Sequence, residues 1–202
     1  MGSWSRFLRS PWVLYLGLCS PLLLVFIPII QGEVEYYADP AKYLLEFFGK
    51  AAVILFILTM AVTPLRQLFP KAEFTKALAY RRRQIGVSVF VYALLHFLLY
   101  LPYVGSVSAF VEDWDKLFIL SGLLALALLM VLAGTSNNRS VRRLGGKGWK
   151  RLHKLAYVIL ALIIYHQAAQ EKTGFRETLV YFSILFVLEV IRLFRYFKRR
   201  SA

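Results

Sequence analysis

Six apolar stretches punctuate this chain, at about residues 11–30, 41–65, 85–103, 117–134, 149–169 and 178–195. Each approaches the roughly 20 residues that an α-helix needs to cross a hydrocarbon layer about 30 Å thick. In lipid every backbone N–H and C=O must find a partner within the protein, so only helices or a closed barrel can span it. No stretch shows the period-two alternation of a barrel strand. The expected fold is all-α, an integral membrane bundle of six transmembrane helices in a single domain over 1–202. Composition agrees: 59% of residues are hydrophobic and 16% aromatic, with a mean hydropathy of +0.59, too apolar for an ordinary soluble domain. There is no internal repeat and no low-complexity tract.

The first stretch carries no charge and follows Arg6 and Arg9. No small-residue cleavage site follows it, so it reads as a retained helix rather than a removed leader, kinked or ended by Pro21 and Pro28. The second begins near Ala41 and is expected to end at Thr63-Pro64. Glu46 and Lys50 stand one turn apart on it and pair on one face, either as an interfacial ion pair or as a pair facing a cofactor or outer partner. Gly49 beside them permits close approach of another helix or a ring.

Charge sets the expected orientation. The net charge is +14, with 25 basic residues against 11 acidic ones. Twenty of the basic residues fall at the N-terminus, between the second and third stretches, between the fourth and fifth, and at the C-terminal end. Glu33, Glu35, Asp39, Glu112, Asp113, Asp115, Glu171 and Glu177 fall at the opposite ends. The basic side is cytoplasmic by the positive-inside rule, with both termini on it. Because topology accounts for the charge, nucleic acid is not an expected partner; the lipid bilayer is.

The chain has three histidines, all in apolar stretches. At ~1.5 Å per residue, His96 lies about 20 Å along the third helix from Arg83, and His166 about 20 Å along the fifth from His153, so His96 and His166 share a depth in the outer half of the membrane. Imidazoles facing each other from neighbouring helices are what axial ligation of a b-type haem requires. The metal ligands expected are His96 and His166. His153 lies near the cytoplasmic mouth. Thirteen residues before His166, it does not share that residue's face on a regular helix, and either a cofactor role or an interfacial hydrogen bond is open to it. One level below His96 on the third helix stands Arg82 rather than a fourth histidine. Tyr92 and Tyr100 flank His96 one turn away on either side, for core packing or for contact with a haem. A single cysteine, Cys19, excludes an internal disulfide and a thiolate cluster.

Arg81-Arg82-Arg83 and the segment from Arg142 to Arg151 are either topology signals or a cradle for an anion such as a haem propionate or flavin phosphate, with Gly145, Gly146 and Gly148 allowing backbone approach. That glycine spacing is neither a P-loop nor a dinucleotide fingerprint.

Ala38-Asp-Pro40, Phe48-Gly49-Lys50 with its apolar run to Thr63-Pro64-Leu65, Arg82-Arg83-x-x-Gly86 with His96 ten residues on, and Leu144-Gly145 leading to Trp149-x-x-Leu152-His153-x-x-x-Tyr157 and His166 resemble the MsrQ family. These are haem-binding membrane subunits of the bacterial protein-methionine-sulfoxide reductase system, within the ferric reductase-like transmembrane domains. The resemblance runs over about residues 12–195. It implies a six-helix cytochrome of the bacterial inner membrane that binds haem b and FMN. It also implies a cytosolic flavin reductase or membrane quinol as donor, and a periplasmic molybdopterin-dependent MsrP-type reductase as acceptor, for repair of oxidised proteins. The family histidines fall on His96, His153 and His166; Arg82 occupies the place of a fourth ligand in the related two-haem oxidases. FMN is expected at the basic inner face near Arg82, Arg83 and His153. Two other readings are a stand-alone ferric reductase acting on external iron and a non-redox transporter or assembly factor with structural histidines. Against the latter stands the scarcity of intramembrane polar groups beyond the histidines, Glu46/Lys50, and Glu189 with its neighbour Arg192.

Overall fold

The computed structural model describes Phe7 and residues 10–169 and 174–200. Arg6, Arg9 and Glu171 lie outside the described residues, as do the side chains of Glu35, Glu177, Lys198, Arg199 and Arg200. The elements in order are α1 (Pro11–Leu24), α2 (Ile27–Gln31), α3 (Val34–Ala38), α4 (Pro40–Leu68), α5 (Glu73–Val104), α6 (Val107–Glu112), a 3₁₀ turn (Asp113–Asp115), α7 (Leu117–Gly134), α8 (Asn138–Leu152), α9 (Leu155–Ala168) and α10 (Gly174–Arg200). No strand occurs among the described residues.

Four helical stretches are long and apolar enough to cross a membrane: Pro11–Gln31, Pro40–Leu68, Glu73–Val104 and Leu117–Gly134. Leu155–Ala168 is also apolar but has only 14 residues. The expected helix over 149–169 divides at His153-Lys154, where α8 ends and α9 begins.

Local chemistry explains the boundaries. Pro28 has no N–H to offer Leu24, and its ring crowds that carbonyl, so α1 stops at Leu24 and Pro28 sits in the first turn of α2. Pro21 remains inside α1. Pro64, expected to end its helix, instead lies buried inside α4, which runs on to Leu68. Packing on both sides holds the helix past the one missing hydrogen bond. Asp39 caps α4 by accepting from the Lys42 N–H at 3.0 Å, with Pro40 in the first turn, a favourable pairing of cap and N1 residue.

The third helix starts twelve residues before its apolar stretch, at Glu73 rather than about 85. Residues 73–84 hold good helix formers and no Gly or Pro, with a Lys76–Glu73 ion pair at 2.7 Å in the first turn. Arg81, Arg82 and Arg83 therefore ride on a helix and point in fixed directions. The α4–α5 turn is tied by Thr75, whose buried hydroxyl lies 2.8 Å from the Phe69 carbonyl and 2.9 Å from that of Ala72.

α4 is the centre of the bundle, with 39% of its apolar window buried against 11% for Pro11–Gln31. Its most extensive partner is α5, followed by α10, while α9 packs on α7 and α10. Phe56, Met60, Val89, Tyr92, Ile159 and Leu185 form the shared core. Outward-facing Leu16, Ile30, Ile184 and Phe186 remain exposed, as lipid-facing side chains do.

Candidate functional site

The α4–α5 hairpin and the α7–α9 pair each present one histidine to a common space. On α5, His96 places its Nδ1 2.8 Å from the Leu45 carbonyl of α4. On α9, His166 places its Nδ1 2.7 Å from the Phe118 carbonyl of α7. A carbonyl can only accept, so in both rings the proton sits on Nδ1 and the lone pair on Nε2. The ring centres are 6.2 Å apart, with planes at 85°.

Both rings lie against a glycine. A Cβ on Gly49 would come within 2.9 Å of His96 Nδ1, and one on Gly122 within 2.8 Å of His166 Cε1 and Nδ1. The Phe118 ring packs 6.2 Å from that of His166. Beside His166, the side-chain carbonyl of buried Gln167 has no hydrogen-bond partner among the described residues.

This arrangement fits an axially ligated porphyrin. With metal–imidazole bonds of about 2 Å, rings whose centres lie 6.2 Å apart would leave room for one iron held by both His96 and His166, the ligand pair a b-type haem would take. Ligating histidines commonly donate their other N–H to a backbone carbonyl, which fixes tautomer and orientation. No group of three or more His, Cys, Asp or Glu placed to hold a metal ion occurs among the described residues, whereas a porphyrin asks only two ligands of the protein.

A second cluster occupies the opposite end. The His153 ring, in the turn between α8 and α9, stacks on Trp149 at 3.8 Å and 29°. Its Nδ1 lies 3.1 Å from the Trp149 carbonyl and its Nε2 3.3 Å from Ser136 Oγ. Trp149 is itself held by an indole N–H donated to the Thr135 carbonyl at 2.9 Å. The Arg83 guanidinium sits 5.1 Å over the Trp149 ring and donates to Asn138 Oδ1 at 2.8 Å.

Arg82, one residue earlier and so rotated by about 100° on the helix, turns to α4 and donates to Thr63 Oγ1 at 2.9 Å. Arg192 donates to the Tyr157 hydroxyl at 3.0 Å and pairs with Glu189 at 2.9 Å, the partnership expected from their spacing. Thus Arg82, Arg83 and His153 share one end of the molecule but reach toward different neighbours, and His153 is apart from the His96–His166 pair.

Tyr92 is buried and donates to the Leu18 carbonyl at 2.6 Å, which ties α5 to α1. Tyr100 donates to Asp113, so both hydroxyls are used within the protein. Glu46 and Lys50 stand 3.8 Å apart with both side chains well exposed. The sequence singles out Gly49 and marks Thr63 only as a helix end and Trp149 only as a motif residue; it does not mark Gly122 or the two carbonyls. The available signal for Gly122 was a mid-helix glycine in a Leu/Ala-rich stretch whose other glycine, Gly134, stands at its end. The carbonyls have no side-chain signature at all.

Residues 48–164 match the family described as ferric reductase like transmembrane component. The chain is also similar to protein-methionine-sulfoxide reductase heme-binding subunits MsrQ from Brucella ovis, Brucella canis and Brucella suis. In each case it is 37% identical over 191 residues, covering 93% of this chain and 83% of the relative.

Proposed function

Since the chain belongs to the MsrQ family of ferric reductase-like membrane proteins, we propose that it binds haem b between His96 and His166 and carries electrons across a bacterial inner membrane to a protein-methionine-sulfoxide reductase. The observation that carries this reading is the pair of imidazoles 6.2 Å apart, each with Nδ1 tied to a backbone carbonyl. When bound, haem b supplies a one-electron carrier that alternates between ferric and ferrous iron.

The protein's own contribution is binding, orientation and exclusion of water. His96 and His166 offer Nε2 lone pairs, the Leu45 and Phe118 carbonyls hold both rings in that tautomer, and Phe48, Phe118 and the buried core around Tyr92 keep the surround apolar. A low-dielectric setting of this kind, with fixed ligand dipoles, sets the potential at which an electron is accepted.

At the inner end, Arg82, Arg83 and His153 are the residues that would hold FMN, through positive charge beside its phosphate. FMN, when bound, converts a two-electron donor into single-electron traffic. The donor is a cytosolic flavin reductase or a membrane quinol, and the acceptor a periplasmic molybdopterin-dependent enzyme of MsrP type. The bundle crosses the membrane six times with both termini cytoplasmic, which puts the His96–His166 pair toward the acceptor.

An absorption spectrum with pyridine haemochrome and flavin quantification on one purified preparation is the direct test. The wild type is expected to show a low-spin Soret band that His96→Ala and His166→Ala each abolish. Wild-type protein without a Soret band, or either variant with full haem content, ends this reading. Reduction of ferric chelates by the purified protein and a reducing donor alone would favour the stand-alone ferric reductase instead.

A further inference from the structure

We propose that Gly49 and Gly122 are positioning residues, each opening a notch in its helix that seats one imidazole against a backbone carbonyl and fixes how that ring faces the iron. The proposal rests on the haem reading above and deepens it.

The two seats are built alike on unrelated stretches of chain. His96 bonds to the carbonyl of Leu45, and Gly49 follows Leu45 by four residues on α4. His166 bonds to the carbonyl of Phe118, and Gly122 follows Phe118 by four residues on α7. Helical side chains tilt toward the N-terminus, so the side chain at position n+4 covers the carbonyl of residue n. That carbonyl already accepts the n+4 N–H with one lone pair and keeps a second. A glycine at n+4 uncovers the second lone pair, and the imidazole lies in the space a Cβ would fill.

The fit is close at both seats. Contacts of 2.9 Å to His96 Nδ1 and 2.8 Å to His166 Cε1 and Nδ1 leave no room for a methyl group without moving the ring or the helix. Gly86, on the same helix as His96, is different: a Cβ there would meet only Thr59 Cγ2 at 3.7 Å, an ordinary contact. Mid-helix glycine weakens a helix relative to alanine, and at positions 49 and 122 the gain is access to the carbonyl. A ring displaced from its seat loses the Nδ1–H···O bond that strengthens it as a ligand to ferric iron.

The test is Gly49→Ala and Gly122→Ala beside Gly86→Ala in the full-length protein, read by haem-transfer competition, low-spin EPR g-values and reduction potential. The expected result is haem affinity lower by roughly 10- to 100-fold, the usual range for losing a ligand's outer hydrogen bond, with shifted g-values and a raised potential in the first two variants. Gly86→Ala should match the wild type.

Wild-type values in Gly49→Ala and Gly122→Ala, or equal losses in Gly86→Ala, would overturn the proposal. A measurement on the wild type covers variants that do not accumulate. Pulsed EPR should find both ligand Nδ1 atoms protonated and shielded from deuterium exchange, and rapid exchange at either would overturn it too. If His96→Ala and His166→Ala keep their haem, the haem reading fails. If they lose it while the glycine variants are unchanged, only the notches fail.

Discussion

Asp113 joins the end of α5 to the short segment that precedes α7. It lies 2.5 Å from the Lys116 ammonium and also accepts from the Tyr100 hydroxyl. The Lys116 hydrogen bond foremost, then that of Tyr100, holds its carboxyl below the usual range. A carboxyl depressed in the folded state stabilises it above the ordinary pKa of about 3.9 and loses that contribution as pH falls through the lower folded value. Acidification below about pH 4 should therefore loosen this corner, and Asp113→Asn should loosen it at neutral pH. Fluorescence of Trp114, which packs 5.9 Å from Phe110, reports both; an unchanged signal in the Asp113→Asn variant would contradict the account. At this scale the juxtaposition of His96 and His166 was legible in the sequence, because depth follows from counting residues along a helix. Their anchors were not, because a carbonyl on another helix leaves no mark on residue identity, and Gly122 becomes meaningful only once α9 is laid against α7.

Helix boundaries tell a similar story. Apolar length located α4, α5 and α7, but polar residues with good helix propensity carried α5 back to Glu73, and α8 occupies the basic segment between the fourth and fifth apolar stretches. α8 is capped by Asn137, whose side chain accepts from the Ser140 N–H at 2.8 Å, and is bent at Gly145, with φ 68° and ψ 154°. That backbone region is open essentially to glycine alone, so Gly145→Ala should cost about 1–3 kcal/mol. Gly146→Ala should be nearly neutral, since its Cβ meets nothing within 4 Å and its φ is not positive. Thermal unfolding of the two variants in detergent separates them, and equal midpoints would show that the bend carries no strain. Trp149 and His153 stand four residues apart, so the last turn of α8 brings their rings together on one face.

The whole bundle is asymmetric in charge, with Arg82, Arg83, Arg192 and Arg195 gathered at the end of the molecule that also holds His153. On a Cys19→Ser background, a cysteine at position 147 should be labelled by impermeant maleimide only after the cytoplasmic face is opened, and one at position 112 from the outer face of intact spheroplasts. The reverse pattern would invert the proposed direction of electron flow.

The two histidine seats also divide the chain cleanly. Leu45, Gly49 and His96 all belong to one hairpin, and Phe118, Gly122 and His166 to a later, non-overlapping segment. Each half-site can thus be completed during synthesis without the other. On the haem reading, cofactor insertion then joins two half-sites already complete, across a core that α4, α5, α9 and α10 share.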